Sequence, residues 1–212
     1  MGIFEAVMLG ILEGLTEFLP ISSTGHLILA SHLMGIEQTA AHKSFEVAIQ
    51  LGSIFAVIFV YFKKLFGDFS LMKKLAVAFV PTGLLGLFLY KHIKALFAPE
   101  TVAFMLIIGG IVFIVLEYFY KPKEHHIQSV DAISYKQALV IGFAQSVSMI
   151  PGTSRSGATI IGGLLTGLSR KTAVEFSFLL AVPTMIVATC YDVYKNFSTF
   201  GGGDISNLVA GF

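Results

Sequence analysis

Four stretches of the chain, about 44–62, 75–90, 101–119 and 172–194, are apolar over lengths that equal or approach one bilayer crossing. A helix needs roughly 20 mostly apolar residues to cross. The second stretch is short and holds Pro81 and two glycines. Composition agrees with a membrane setting: 55% of the residues are apolar and 13% charged, against about 25% charged in soluble domains. The expected fold is therefore an all-α integral membrane protein forming one polytopic domain over 1–212. A formal net charge of +1 supplies no basic field, so no nucleic-acid partner is expected. Cys190 stands alone, which excludes an intrachain disulfide framework and a cysteine-based zinc site. The N-terminal apolar stretch carries Glu5, Glu13 and Glu17 and lacks a basic start, so it does not read as a signal peptide. The Gly-rich tail 197–212 reads as a loop or the start of a further segment.

Two further apolar regions, 6–34 and 138–168, are each broken in the middle by proline and small hydroxyl residues. They resemble each other. With a shift of 132, Ala6, Gly10, Ser22, Gly25, Ile28, Leu33 and Gly35 fall on Ala138, Gly142, Ser154, Gly157, Ile160, Leu165 and Gly167. Glu13 falls on Gln145, while Pro20 and Pro151 are one position out of step. The shared order is apolar helix, acid or amide, proline, hydroxyl cluster, glycine, apolar helix. The expectation is a duplication, with repeat 1 about 1–90 and repeat 2 about 101–212.

Each arm of a broken region is too short to span, and irregular backbone at membrane depth survives only inside protein or beside water. Two re-entrant helical hairpins are expected. Three crossings between them put the repeats in opposite orientations, an inverted-topology repeat. Basic residues set the orientation. With the 63–74 loop inside, Lys63, Lys64, Lys73, Lys74, Lys121, Lys123, Lys136, Arg170 and Lys171 are cytoplasmic. Lys43, Lys91, Lys94 and Lys195 are then outside. On this count the N-terminus lies outside, the first hairpin opens outward and the second inward.

In the first broken segment Glu13 and Glu17 are four apart and share a helix face. Paired carboxylates repel unless a cation or a shared proton relieves them, and a hard divalent ion such as Mg²⁺ or Ca²⁺ takes oxygen ligands of this kind. Pro20 ends that helix. Ser22, Ser23 and Thr24 begin the next, where hydroxyls cap free N–H groups and the N–H groups attract anions. His26 follows within expected reach of Ser23. The second segment repeats the pattern with Ser154, Ser156 and Thr159, and places Arg155 among apolar residues. An ionisable residue at membrane depth is a functional candidate by default, and a guanidinium fork suits phosphate. Metal, arginine, N–H cradle, nucleophile and base are the parts of a phosphoryl-transfer site.

The runs EGLTEFLPISSTGH (13–26) and PGTSRSGAT (151–159), with FEVAIQLGS (45–53), resemble the signature segments of the undecaprenyl-pyrophosphate phosphatase family, the bacitracin-resistance type. The resemblance implies a multi-pass enzyme of the bacterial inner membrane. Such an enzyme removes the terminal phosphate of a polyprenyl pyrophosphate lipid, which recycles the carrier for cell-wall synthesis. It also implies metal-associated Glu13 and Glu17, an active-site hydroxyl at Ser22 or Ser23, an active-site histidine at His26 and a phosphate-binding Arg155. The first hairpin is expected to open to the periplasmic side. Family members are usually longer, so Phe212 is expected not to be the natural end; a homodimer is an open expectation.

From these parts Ser23, His26, Glu17 and Arg155 are expected to be catalytic, with Ser22, Thr24, Ser154, Ser156, Thr159 and Gln145 binding substrate. Ser23 would attack phosphorus with His26 as base; water or His26 as nucleophile are the alternatives. Glu46, Gln50 and Glu175 are left open between packing and function, and His125 and His126 read as solvated loop residues. The rival class is a carrier of phosphorylated lipid, since inverted hairpins also serve alternating access. A P-loop is excluded because no Gly-Lys-Ser/Thr occurs.

Overall fold

A computed structural model describes residues 1–96, 98–121, 126–196 and 202–212. Lys123 and His125 lie outside the described residues. Nine α-helices are present among them: α1 Ile3–Thr16, α2 Ser23–Leu33, α3 Ala40–Gly67, α4 Phe69–Ala95, α5 Pro99–Phe119, α6 Tyr135–Ser146, α7 Arg155–Leu165, α8 Arg170–Asn196 and α9 Gly202–Gly211. No strand occurs among the described residues; a single parallel bridge joins Ile127 to Leu168.

Ala41–Gly67, Phe69–Leu89, Pro99–Phe119 and Arg170–Lys195 are long and apolar enough to cross a membrane, matching the four stretches expected. α5 shows why lipid is the right solvent. Phe104 is 63% exposed, Ile114 71% and Tyr118 81%, a surface that would associate in water and carries no such penalty against acyl chains. One expectation is corrected. The 63–74 segment is helical, with Asp68 alone between α3 and α4. Its lysines sit on helix ends, where long stems lie along apolar surface and carry their charge outward. Lys74 instead turns inward and donates to the Asp131 carbonyl at 2.6 Å. Within the tail, Gly202–Gly211 form a helix, the further segment that the sequence allowed.

The two broken regions each give a pair of short helices. α1 has 14 residues, α2 11, α6 12 and α7 11. At about 1.5 Å per residue none reaches the roughly 30 Å of a hydrocarbon core. Proline explains where they stop. Its ring excludes the carbonyl four residues back from the helical ladder; four before Pro20 is Thr16, the last residue of α1. α6 likewise ends at Ser146, five before Pro151, and a single 3-10 turn Val147–Met149 intervenes. The helix thus ends a turn earlier than proline's own position suggests, and Glu17 becomes its C-cap with helical φ and ψ.

α1 packs on α2 and α6 on α7. More telling is what α1 and α6 meet elsewhere. A Cβ at Gly10 of α1 would lie 2.1 Å from the Gly211 carbonyl oxygen of α9. At Gly142 of α6 it would lie 2.1 Å from the Ala78 carbonyl oxygen of α4. These glycines are the pair that a shift of 132 aligns, and only a missing side chain lets helix backbones approach this closely. The larger apolar core joins α3, α4, α6, α7 and α8 through Ile54, Leu71, Ile141, Ile160 and Phe176. A smaller one joins α1, α2 and α3 through Ala6, Leu9, Leu27, Phe45 and Ile49.

Candidate active site

Each broken segment delivers polar groups by the same local route. Ser22 caps α2 by accepting from Gly25 N at 3.3 Å, and Ser154 caps α7 by accepting from Gly157 N at 3.0 Å. Side-chain oxygens at this position satisfy N–H groups that have no partner within the helix. The two caps differ in one respect. Ser22 has φ 65°, the only positive φ at a non-glycine among the described residues. Such a conformation costs on the order of 1–3 kcal/mol and is retained where surrounding contacts demand it. Here the demand is visible in the Ser22 carbonyl, which accepts from His26 N at 3.2 Å and from His26 Nδ1 at 2.8 Å. The imidazole is thereby held with Nδ1 as donor, which leaves the lone pair on Nε2.

The segments are joined by Glu17. Its Oε1 accepts from Arg155 Nη2 at 2.9 Å and its Oε2 from Ser23 Oγ at 2.5 Å. Both side chains of the ion pair are nearly buried, 11% exposed for Arg155 and 5% for Glu17. Removing one partner of such a pair typically costs about 3–5 kcal/mol, because the other charge is stranded. Arg155 Nη1 donates to the Ser177 carbonyl at 3.2 Å, so α8 holds the other branch of the fork. Ser156 Oγ donates to the Leu19 carbonyl at 2.9 Å, tying the start of α7 to the turn after α1. Thr159 Oγ1 lies 2.6 Å from Ser177 Oγ.

What is left unsatisfied is as informative. Four of the five buried side-chain polar atoms without a hydrogen-bond partner, among the described residues, belong to these two segments: both carboxylate oxygens of Glu13, Thr153 Oγ1 and Arg155 Nε. Buried polar groups are nearly always paired, so a concentration of orphans marks a place built for something absent. Glu13 is 1% exposed and lies one helical turn before Glu17, whose N–H donates to its carbonyl at 2.9 Å. Among the described residues no group of three His, Cys, Asp or Glu is close enough to hold a metal unaided. Two carboxylates with free or shareable oxygens nonetheless fit a cation that takes its remaining ligands from phosphate and water, the usual habit of Mg²⁺.

The structure therefore brings Glu17, Ser23, Arg155, Ser156 and Thr159 into one bonded set, with Glu13 and His26 adjoining in sequence. It does not join Ser23 to His26: the serine proton goes to Glu17 and the ring nitrogen to the Ser22 carbonyl. Nor does it join Gln145 to the cluster. That amide donates to Thr82 Oγ1 at 3.0 Å and accepts from Thr184 Oγ1 at 3.3 Å, and is fully buried by α4 and α8. Thr24, His26, Ser154 and Arg155 are the half-buried members and form the accessible side. Glu175, one of the open candidates, pairs with Lys64 at 2.8 Å. His126 of the charged loop lies half-buried against Tyr120, 3.3 Å from its hydroxyl. Sequence reasoning missed Ser177 and Thr153. Nothing marks Ser177 in an apolar run, whereas Thr153 sits inside the motif 151–159 and was open to inclusion.

A family model described as bacitracin resistance protein BacA matches residues 6–212. The chain belongs to this family. It is 62% identical over 212 residues to an undecaprenyl-diphosphatase of Wolinella succinogenes, covering 100% of this chain and 83% of that one. An undecaprenyl-diphosphatase of Sulfurihydrogenibium is 63% identical over 208 residues, 98% of this chain and 82% of the relative. One from Methanococcus aeolicus is 53% identical over 212 residues, 100% and 83%. The resemblance carried by the two motifs is thus a family membership that spans the chain, and the BacA segments 13–26 and 151–159 are the ones that Glu17 connects.

Proposed function

We propose that this chain removes the terminal phosphate of undecaprenyl diphosphate, giving undecaprenyl phosphate and inorganic phosphate. The observation that carries it is one carboxylate, Glu17, bonded at the same time to a hydroxyl nucleophile and to a guanidinium with an unfilled donor. Relatives named undecaprenyl-diphosphatase support the same chemistry and do not favour the carrier alternative. Leu15, Leu19 and Ile21, each exposed beside the cluster, suit the prenyl chain.

The chemistry follows from the bonds present. Ser23 Oγ attacks the terminal phosphorus while its proton passes to Glu17 Oε2. The bond from that phosphorus to the bridging oxygen breaks, and undecaprenyl phosphate leaves. Arg155, aligned by Glu17 and the Ser177 carbonyl, offers Nε to the phosphoryl oxygens, and Thr24, Ser154 and Thr153 supply further hydroxyl donors. Donors fixed in advance where charge develops are the main source of rate in such reactions. Water then attacks the phosphoserine, its proton taken by His26 Nε2; the bond from phosphorus to Ser23 Oγ breaks, inorganic phosphate leaves, and Glu17 returns its proton to Ser23 Oγ. Glu13, with Glu17, would hold a divalent cation, which when bound supplies charge neutralisation to the diphosphate. The expected result is phosphate release from undecaprenyl diphosphate by the purified chain, lost on chelation and restored by Mg²⁺ or Ca²⁺. Glu13→Gln should raise the cation concentration needed for half-maximal rate. Chelator-insensitive turnover with an unchanged Glu13→Gln variant would remove the metal from the scheme.

The setting proposed is the bacterial inner membrane, with α1–α2 and α6–α7 as re-entrant hairpins of an inverted repeat. Three features support it: helices shorter than the bilayer, equivalent serine caps 132 apart, and the crossed packing of Gly10 on α9 and Gly142 on α4. The distribution of basic residues favours a first hairpin that opens to the periplasmic side. Single cysteines at positions 20–26 and 151–157 should resist a membrane-impermeant maleimide far better than one at Glu37. Fast labelling throughout both segments would show solvated loops and defeat the hairpin proposal.

A further inference from the structure

α2 packs chiefly on α1 and α5, and what ties it to α3 is a buried polar stripe of α3 side chains that the phosphoryl chemistry does not use. His42, Glu46 and Gln50 recur every four residues along α3 and are 4–5% exposed, so they share one helix face. Thr24 and Ser31 of α2, seven apart, meet that face at two heights. Gln50 Nε2 donates to Thr24 Oγ1 at 3.2 Å. Ser31 Oγ donates to Glu46 Oε1 at 2.8 Å and lies 2.8 Å from His42 Nε2. The serine proton is spent on Glu46, so His42 Nε2–H faces both the serine oxygen and Glu46 Oε1, which lies 3.1 Å away. Gln38 Nε2 adds a bond to Glu46 Oε1 at 3.1 Å from the α2–α3 connection.

Around this stripe the contacts are apolar, through Leu27, Phe45 and Ile49. Apolar packing between membrane helices has no directional term and tolerates sliding and rotation. A buried carboxylate in an apolar core is costly, and the attested use of such groups is to fix register. The register concerned is that of α2, which begins at Ser23 and carries His26 one turn on. An 11-residue helix moves as a unit, so a restraint at Ser31 is felt at His26. Glu46 has no hydrogen bond to Glu17, Ser23, His26 or Arg155 and acts on them only through α2.

We propose that Glu46, with Ser31 and His42, is a positioning residue for catalysis: it sets the rotation and height of α2 and so the aim of Ser23 and His26. The proposal rests on the phosphatase reading above. The experiment compares full-length wild type, Glu46→Gln, Glu46→Leu and Ser31→Ala in detergent. It measures kcat and KM for phosphate release and the rate at which diethyl pyrocarbonate modifies His26, read by mass spectrometry. Gln keeps the acceptor that Ser31 and Gln38 use and should stay within about threefold of wild type. Leu removes it and should lower kcat roughly 10–100-fold, the scale of a small misplacement at the reacting centre, with a smaller change in KM because Arg155 and α7 are untouched and only Thr24 of the substrate donors moves with α2. His26 should change reactivity in Leu and not in Gln. Normal kcat in Glu46→Leu overturns the proposal, and so does a Gln variant as impaired as Leu, since charge would then be the requirement. If Glu46→Leu fails to fold, Ser31→Ala decides: a several-fold loss in kcat supports positioning and an unchanged kcat overturns it. Absence of phosphate release by wild type would defeat the phosphatase reading alone, while His26 reactivity still reports whether Glu46 sets α2.

Discussion

Glu17→Gln is expected to lower turnover about 10²–10⁴-fold, the range for loss of a positioned base. The amide oxygen can face Ser23 or Arg155 but not both: an NH₂ facing Arg155 meets a donor, and an NH₂ facing Ser23 donates to the hydroxyl and leaves the serine proton without its acceptor. In the native site the two oxygens divide the work, Oε2 for Ser23 and Oε1 for Arg155. Loss of the charge also strands a nearly buried guanidinium, so part of the effect will be lost stability. The decisive measurement is phosphate release per folded molecule, with folding judged by a monodisperse peak in detergent. A monodisperse Glu17→Gln protein with normal turnover would take Glu17 out of the reaction and return the role of base to His26.

Arg155→Lys is expected to remain folded and to lose about 10²–10³-fold in kcat, the scale of one preorganised donor. Lysine keeps the charge and can satisfy Glu17. It offers a compact ammonium in place of a fork that reaches Glu17, the Ser177 carbonyl and a phosphoryl oxygen at fixed angles. If the third donor, now unpartnered at Nε, serves the transition state, kcat and kcat/KM should fall together. A fall confined to KM would make Arg155 a substrate anchor, and near-normal kinetics would make it a brace between α7 and α8.

Much of this site was legible in the sequence. Pattern and spacing are local, so the chain itself dictated four long apolar helices, two interrupted regions, hydroxyl clusters at the start of α2 and α7, and acids at 13 and 17 on one helix face. Proline chemistry also fixed where α1 stops, though applying it required counting back to the displaced carbonyl at Thr16. Sequence could not say which partner each polar group would choose. Ser23 and His26 are three apart and invited a serine–histidine pair, yet the strained backbone at Ser22 turns its carbonyl to the imidazole, and Glu17, six residues back across the turn, takes the serine proton. Gln145, which a shift of 132 aligns with Glu13, invited a binding role; its side-chain bonds run to Thr82 and Thr184. The Glu17–Arg155 pair spans 138 residues, and the Ser31–Glu46 bond depends on α2 lying against one face of α3. Hydrogen bonds are short and directional, so their partners are chosen by helix packing to within an ångström. Hydrophobic patterning selects the helices and their buried faces, and only the packed tertiary structure decides which acid meets which base.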